Sequence, residues 1–498
     1  MAKQDKNVVI IGAGPAGLSA AYELIAKKTG YTPIIIEKLP CVGGLSRTVY
    51  DENLGVDIGG HRLYTNDEYV KSIWFKFLQI QNAPAIDDII CARNVKYPQI
   101  GADPNEADDV MMIRRRFSSI IYNSKFFPYP LKFSLETFLN LGLLTSFKAG
   151  LSYIKAMIFK RKENSLEDFM VNRFGEVLYK IFFKDYTKKV WGLDPSELSS
   201  EWGHQRIRKL SLFKTILNSI LSKFKFLKFK KETSLIDEFY YPKFGCSQLW
   251  ELMAKYITDN GGKIILESEF LDFNIQENTI LTVKYKNKFN EILEIPSVDV
   301  VSTMPIKDLI AGIDAPYDIK QEALNLPYRD YILVSFYVDN FNLKNITDYK
   351  TVNNITPDCW IYLQENDAIA ARIQIMNNWS PYLVGDFKKN YLISLEYFAN
   401  EKDEFWQKTD DEIINIAKME AQKYNLFNSN GVIKSFVVRE KKAYPAYFGS
   451  YKNIDRIKEC ISKIKNLYLA GRNGQHQYNN MDEAMMSGIR VAQKIMEN

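Results

Sequence analysis

The 498-residue chain, 46% apolar and 25% charged, has the make-up of a folded soluble protein with room for two or three domains and a large buried core. Its formal net charge of +5 is small for that length and argues against a nucleic-acid binder. Five scattered cysteines, Cys41, Cys91, Cys246, Cys359 and Cys460, show no CxxC pairing, and with only three histidines they argue against structural zinc and for a reducing cytoplasm.

The chain runs from MAKQDK straight into an apolar segment, so no signal or transit segment is expected there. Residues 7–11 read as a strand ending on Gly12, and Gly12, Gly14 and Gly17 space out GxGxxG before the helical AAYELIAKK. Gly12 allows the turn, Gly14 lets a pyrophosphate approach the backbone, and Gly17 lets the helix, opened by Pro15 and Ala16, pack close to the strand. A second apolar run, residues 34–36, leads into Glu37 and Lys38, with Glu37 twenty residues beyond Gly17. That register predicts a dinucleotide-binding βαβ unit in which the carboxylate accepts the ribose hydroxyls of an adenosine. An ordinary βαβ unit with a glycine turn would leave the acid unexplained. Next come GGLSRT, with Gly43, Gly44, Leu45 and Arg47, and DIGGH, with Gly60 and His61. The glycine pair suits a backbone passing close to a cofactor, and Arg47 offers a fork of donors to a pyrophosphate.

Residues 82–116 lose periodicity and read as a connection with small strands. In residues 122–135, Pro128 and Pro130 predict an extended aromatic segment of the kind that lines a pocket. Residues 131–160 predict a packed helix pair, with Phe138, Leu141, Leu144 and Phe147 at spacings of three; Glu136, Asn140 and Lys148 interrupt it short of the roughly eighteen apolar residues of a membrane span. A similar helix is expected over residues 165–183, and Asp194, Pro195 and Glu197 predict a capped helix start flanked by Trp191 and Trp202. Residues 209–231, KLSLFKTILNSILSKFKFLKFKK, combine an apolar stripe with clustered lysines. Peripheral contact with an anionic membrane is one reading, a surface helix with solvated lysines the commoner one, and the alternating tail also suits a strand. Beyond it, a glycine turn enters a helix over 239–257, strands follow in 261–273, 279–287 and 298–304, a second sheet takes in 332–338 and 391–397, and strand 466–470, loop 471–480 and a helix over 482–496 close the chain.

The glycine motif, acid and GGLSRT block resemble the FAD-dependent superfamily of amine oxidases, protoporphyrinogen oxidases and UDP-galactopyranose mutases, which makes FAD the expected cofactor. YTKKVWGLDPSEL is similar to the tryptophan block of bacterial UDP-galactopyranose mutases, and EWGHQRI, ARIQIMNNWSP, AYP and GRNGQHQYNNMDE are similar to the eukaryotic-type members, in the same order. The resemblance is patchy but runs from Val8 to about Val491. It implies that Arg206 and Arg372 hold a nucleotide diphosphate, that Tyr444 and Tyr478 meet it with their hydroxyls, that Trp191 lines a sugar pocket and that His61 contacts the flavin. Gly471, Arg472, Met481 and Asp482 would complete the cofactor site, with Asp482 at a helix N-terminus near the flavin ring. Read plainly, Arg206 is a surface ion pair, Arg372 a cross-strand partner, Tyr444 core packing and His204 a helix-surface residue. Gln475 and His476 stand where the family's final loop usually carries an aromatic, so the nucleotide base stays open.

The expected fold is α/β: a discontinuous Rossmann-type FAD-binding domain of residues 1–80, 238–310 and 460–498, a helical insert of 130–237, and a mixed or antiparallel sheet domain for substrate in 81–129 and 311–459. The expected function is a flavin-dependent nucleotide-sugar mutase, contracting a pyranose to a furanose without net redox change, for surface polysaccharide precursors. It would be cytoplasmic, with any membrane contact at the inner face. The alternative is an FAD-dependent oxidoreductase acting on an amine, a porphyrin or an isoprenoid lipid. No second GxGxxG marks a nicotinamide domain, which suits the mutase.

Overall fold

A five-stranded parallel sheet carries the two ends of the chain. Its order is Lys263–Ile265, Thr32–Ile36, Asn7–Ile11, Asp299–Ser302, Leu467–Leu469, and every neighbouring pair runs parallel. The computed structural model describes residues 6–131, 135–206 and 238–498. Both faces of this sheet are covered, as a parallel sheet requires. Val8 and Ile10 face the helix Pro15–Ala26 in one apolar cluster, while Val9 and Ile11 join a second cluster on the opposite side. The closing helix Met481–Glu497 packs on Pro15–Ala26 at the closest range that backbone permits, because a Cβ at Gly488 would overlap the carbonyl oxygen of Ala16.

The second large sheet has seven strands in the order Val432–Pro445, Tyr328–Val338, Tyr391–Ala399, Arg372–Ile375, Trp360–Leu363, Ser118–Tyr122, Lys125–Pro128, antiparallel but for the Trp360–Leu363 and Ser118–Tyr122 pair. Period-two alternation sorts its side chains: Ile332, Val334 and Phe336 lie in the cluster beneath the helix Asp410–Lys423, and Tyr331 and Leu333 lie in the cluster shared with the parallel sheet. The seam between the two sheets is therefore where a ligand would meet both.

Three expectations are corrected here. Asp194–Glu197 is a turn, not a helix start: Asp194 Oδ1 accepts from Ser196 N at 3.1 Å, and the next helix begins at Ser200. The helix expected over 165–183 stops at Phe174, where Gly175 takes φ 76°, and resumes in shorter pieces up to Trp191. Residues 131–160 do form two helices, Leu135–Leu141 and Leu143–Ile158, but the apolar side chains of the second face outward. The 209–231 segment lies outside the described residues. Among the described residues no helix is long and apolar enough to cross a membrane.

The two helical glycines 150 and 488 should respond oppositely to alanine. Gly150 has open space around its Cβ position, so Gly150→Ala should stabilise the fold by about 0.5–1 kcal/mol. Gly488→Ala must push the closing helix off Ala16 and should cost about 2 kcal/mol or more. Urea midpoints of the two variants check both signs.

Candidate flavin and substrate site

The first strand delivers the chain to a turn in which Gly12 N donates to Ile36 O at 2.8 Å and takes φ +103°. Glu37, at the end of the second strand, is buried and bridges outward: Oε2 accepts from Ala13 N at 2.7 Å and Oε1 from Leu39 N at 2.9 Å. Each oxygen keeps lone-pair capacity for a hydroxyl. A shallow recess beside it is lined by Lys38, Leu39, Glu267, Glu269, Lys286 and Asn287. The turn at Gly43 and Gly44 closes over the first one. Gly43 N donates to Ala13 O at 2.9 Å, and a Cβ at Gly44 would stand 3.1 Å from Gly14 Cα. Two bare backbone turns thus touch one another, at a separation that a side chain on either would crowd.

Arg47 departs from its expected part. Its Nη1 donates to Gly44 O at 2.9 Å and its Nη2 pairs with Glu440 Oε2 at 2.6 Å, so much of its fork is committed to the protein. Asp57 anchors the following hairpin: its carboxylate accepts from Thr48 Oγ1 at 2.7 Å and Tyr241 OH at 2.8 Å, and burial raises its pKa to about 6. Gly60 then passes Trp379 at a distance only glycine allows without adjustment, and sets down His61.

Residues from distant parts of the sequence meet at this point. Arg372, on a central strand of the seven-stranded sheet, pairs through Nη2 with Glu396 Oε2 at 2.5 Å and reaches Tyr444 OH at 3.5 Å. Glu396 is 1% exposed and also accepts from Gln374 Nε2 at 2.6 Å. Tyr444 stacks on Tyr478 at 5.8 Å, and the Arg472 guanidinium lies over both rings, 5.4 and 4.5 Å from their centroids. Arg472 is held there by carbonyl oxygens, donating to Asn479 O at 2.8 Å and Ala443 O at 3.2 Å. His61 sits within the field of both guanidiniums. Burial first, and then the Arg472 and Arg372 charges, lower its pKa to about 3, and its Nδ1 is buried without a hydrogen-bond partner.

A family model described as flavin containing amine oxidoreductase matches residues 15–496. The chain belongs to that family. A Klebsiella pneumoniae protein described as a probable UDP-galactopyranose mutase is 26% identical over 206 residues, which is 39% of this chain and 43% of that protein, less than half its length. Among solved structures, reduced UDP-galactopyranose mutase superposes with a TM-score of 0.74 at 20% identity, over 99% of this chain and 96% of that one. Putrescine oxidase bound to putrescine superposes at 0.56 and 13%, covering 99% of both chains. These likenesses carry the fold, and the family makes this chain a flavoenzyme whose cofactor is FAD.

The residues of this chain fit that cofactor. The touching glycine turns present backbone without side chains that a diphosphate can approach, Glu37 retains acceptors for ribose hydroxyls, and the unpaired Nδ1 of His61 leaves a polar atom for a ring edge. Gly471 and Gly474 bring the last loop against Ala16 and Ser302, so that Arg472 and the start of the closing helix stand over the same turn. Met481 opens that helix, and the Asp482 carboxyl, raised by burial, is offset by the hydroxyl of Thr65.

His61, Arg372, Tyr444, Arg472 and Tyr478 are thus brought together. Trp191 is not: it is 4% exposed, edge-on to Trp202 at 5.8 Å, and belongs to the helical core, so it is corrected from pocket wall to core residue. Arg206 ends the helix Ser200–Arg206, and its side chain lies outside the described residues. His204 pairs with Glu163 at 3.1 Å on the surface. His476 is 1% exposed, with Nε2 3.1 Å from Ala446 O. Sequence reasoning missed Glu396, Gln374, Tyr331 and Tyr186, all of them around Arg372. Glu396 did leave a signal, as the single charge in the mostly apolar and aromatic strand YLISLEYFA.

Burial lowers the pKa of His476 to about 4, so neither it nor His61 should titrate between pH 5 and 8. Histidine ring shifts in NMR check this, and a ring proton gained in that range would refute it. A histidine depressed on folding contributes stability that is complete above its unfolded pKa of about 6.5 and is lost as pH falls towards its folded value. Asp57 and Asp358, both raised to about 6 by burial, act oppositely, their contribution being lost as pH rises towards 6. The histidine share is therefore read by difference. The stability gap between wild type and His476→Gln should close by roughly 1.4 kcal/mol per pH unit from 6.5 to 4.

Proposed function

We propose that this flavoenzyme binds a nucleotide-diphosphate sugar and contracts its pyranose ring to a furanose without net redox change. The observation that carries the reading is the sign of the charge at the site. Two guanidiniums, Arg372 and Arg472, converge with the phenols of Tyr444 and Tyr478, and Glu396 offsets only one of them. Among the described residues of that cluster Arg472 is held only by carbonyl oxygens, which leaves a positive field. Such a field attracts a diphosphate and repels the ammonium that an amine oxidase must admit. The named likeness to UDP-galactopyranose mutases supports the same choice.

In this reading the division of labour follows the domain boundaries expected from the sequence. The discontinuous cofactor domain holds FAD through Gly12, Gly14, Gly17, Glu37, Gly43 and Gly44. The seven-stranded sheet supplies Arg372 and Tyr444 to the diphosphate, with Glu396 fixing the guanidinium. FAD, when reduced, supplies an electron-rich centre for the anomeric carbon. The chain's part is to orient the sugar, exclude water and hold the leaving diphosphate by charge. His61 stays neutral beside it and serves as a hydrogen-bonding group.

The test is anaerobic incubation of the dithionite-reduced protein with candidate UDP-sugars. An isomer of unchanged mass, formed only with reduced flavin, is the expected result. Substrate-dependent bleaching of oxidised flavin with loss of two hydrogens would replace the reading by an oxidoreductase. Arg372→Ala should weaken nucleotide binding by about 2–3 kcal/mol in isothermal titration, and unchanged binding would remove Arg372 from the site.

A further inference from the structure

The helix Leu143–Ile158 is built inside out. Its small residues face the protein: Ala149 and Ala156 are buried, and Ser152 and Tyr153 lie against Gly175, where a Cβ would stand 2.8 Å from Tyr153 N. Its large apolar residues face outward, with Leu143 76% exposed, Leu144 68%, Phe147 65%, Leu151 53%, Ile154 54% and Ile158 67%. At spacings of four and three residues these form one continuous stripe, extended by Leu139 and Phe159. An apolar patch of that extent on a soluble surface marks something that docks on it.

Charge identifies the occupant. Residues 137–162 contain no aspartate or glutamate, whereas Lys148, Lys155, Lys160 and Lys162 are exposed and in no salt bridge among the described residues. Lys148 and Lys155 fall in the same helical row as Leu144, Leu151 and Ile158. A second copy of the chain laid along this row would set lysine against lysine with no acid on the helix to answer it. An anionic lipid surface takes both parts at once, accepting the stripe into its acyl boundary while the lysine stems reach back to the phosphates.

We propose that the helix Leu143–Ile158 docks the protein, lying flat, on an anionic phospholipid bilayer. About 24 Å of helix would rest in the interface, at 1.5 Å per residue. This binding surface is separate from the site around Arg372 and does not rest on the mutase reading.

Flotation of the FAD-loaded full-length protein with vesicles tests it. Wild type should float with mixed phosphatidylglycerol and phosphatidylcholine vesicles, stay down with phosphatidylcholine alone, and lose binding as salt rises. Phe147→Asp with Ile154→Asp should reduce the bound fraction by about tenfold or more, and Lys148→Glu with Lys155→Glu should remove the dependence on anionic lipid. Unchanged circular dichroism and flavin absorbance show that the variants are folded. The proposal is overturned if wild type ignores anionic vesicles or if the stripe variants float normally. It is equally overturned if only charge reversal of the lysines in 209–231 abolishes flotation, or if the stripe variants split a dimer in sedimentation while wild type does not float.

Discussion

The structure depends on a few places where backbone must touch backbone. A Cβ at Gly17 would overlap Gly12 O, one at Gly488 would overlap Ala16 O, and one at Gly474 would crowd Ser302 O. These three contacts draw the first strand, the first helix, the last loop and the closing helix to one point, although more than 450 residues separate the first of them from the last. A methyl group at any of them would hold the layers apart. The last loop, which carries Arg472, would then be pushed off the first helix and strand.

Around this point the chain buries charge at a cost. Taking Arg372 and Glu396 out of water carries a desolvation penalty that their mutual attraction does not reliably recover, and replacement by apolar residues is often neutral or stabilising for a fold. What the pair provides is direction. Glu396 fixes one edge of the guanidinium, Tyr444 meets it, and Lys189 ties the segment just ahead of it by donating to the carbonyls of Leu363, Glu365 and Ala370 at 3.0 to 3.2 Å. The strand bearing Arg372 is thereby clamped from both sides, which suits a group that must hold a fixed charge in one place.

What could be read from the sequence was what is local. GxGxxG, the acid at Glu37 and the glycine pair at Gly43 lie within one βαβ unit and its next turn, so spacing alone placed them together. Arg372, Tyr444 and Tyr478 were named through family blocks; nothing in their own spacing brings them within reach of each other. The pairing of Arg47 with Glu440 could not be read in this way, because the two lie 393 residues apart. The helix Leu143–Ile158 was misjudged for a different reason. Periodicity reports that a helix has an apolar face but not which way it points, and here Gly175 accepts the small face. The turn at Asp194 shows the same limit, since an acid followed by proline caps a turn as readily as a helix.

The electrostatics of the site give its chemistry a particular character. Burial holds His61 neutral, and burial raises Tyr186, Tyr331 and Tyr444 above the ordinary phenol range, against the pull of the Arg372 charge. Over physiological pH these four keep their protons or their neutrality, so the cluster changes charge little as pH moves. Its fixed groups are two guanidiniums and one carboxylate, aimed by short contacts at a seam between two sheets. A site of this kind is poorly equipped to pass protons along a relay, where a group titrating near neutrality is needed. It is well equipped to grip an anion, because donors already in position need no reorganisation when one binds.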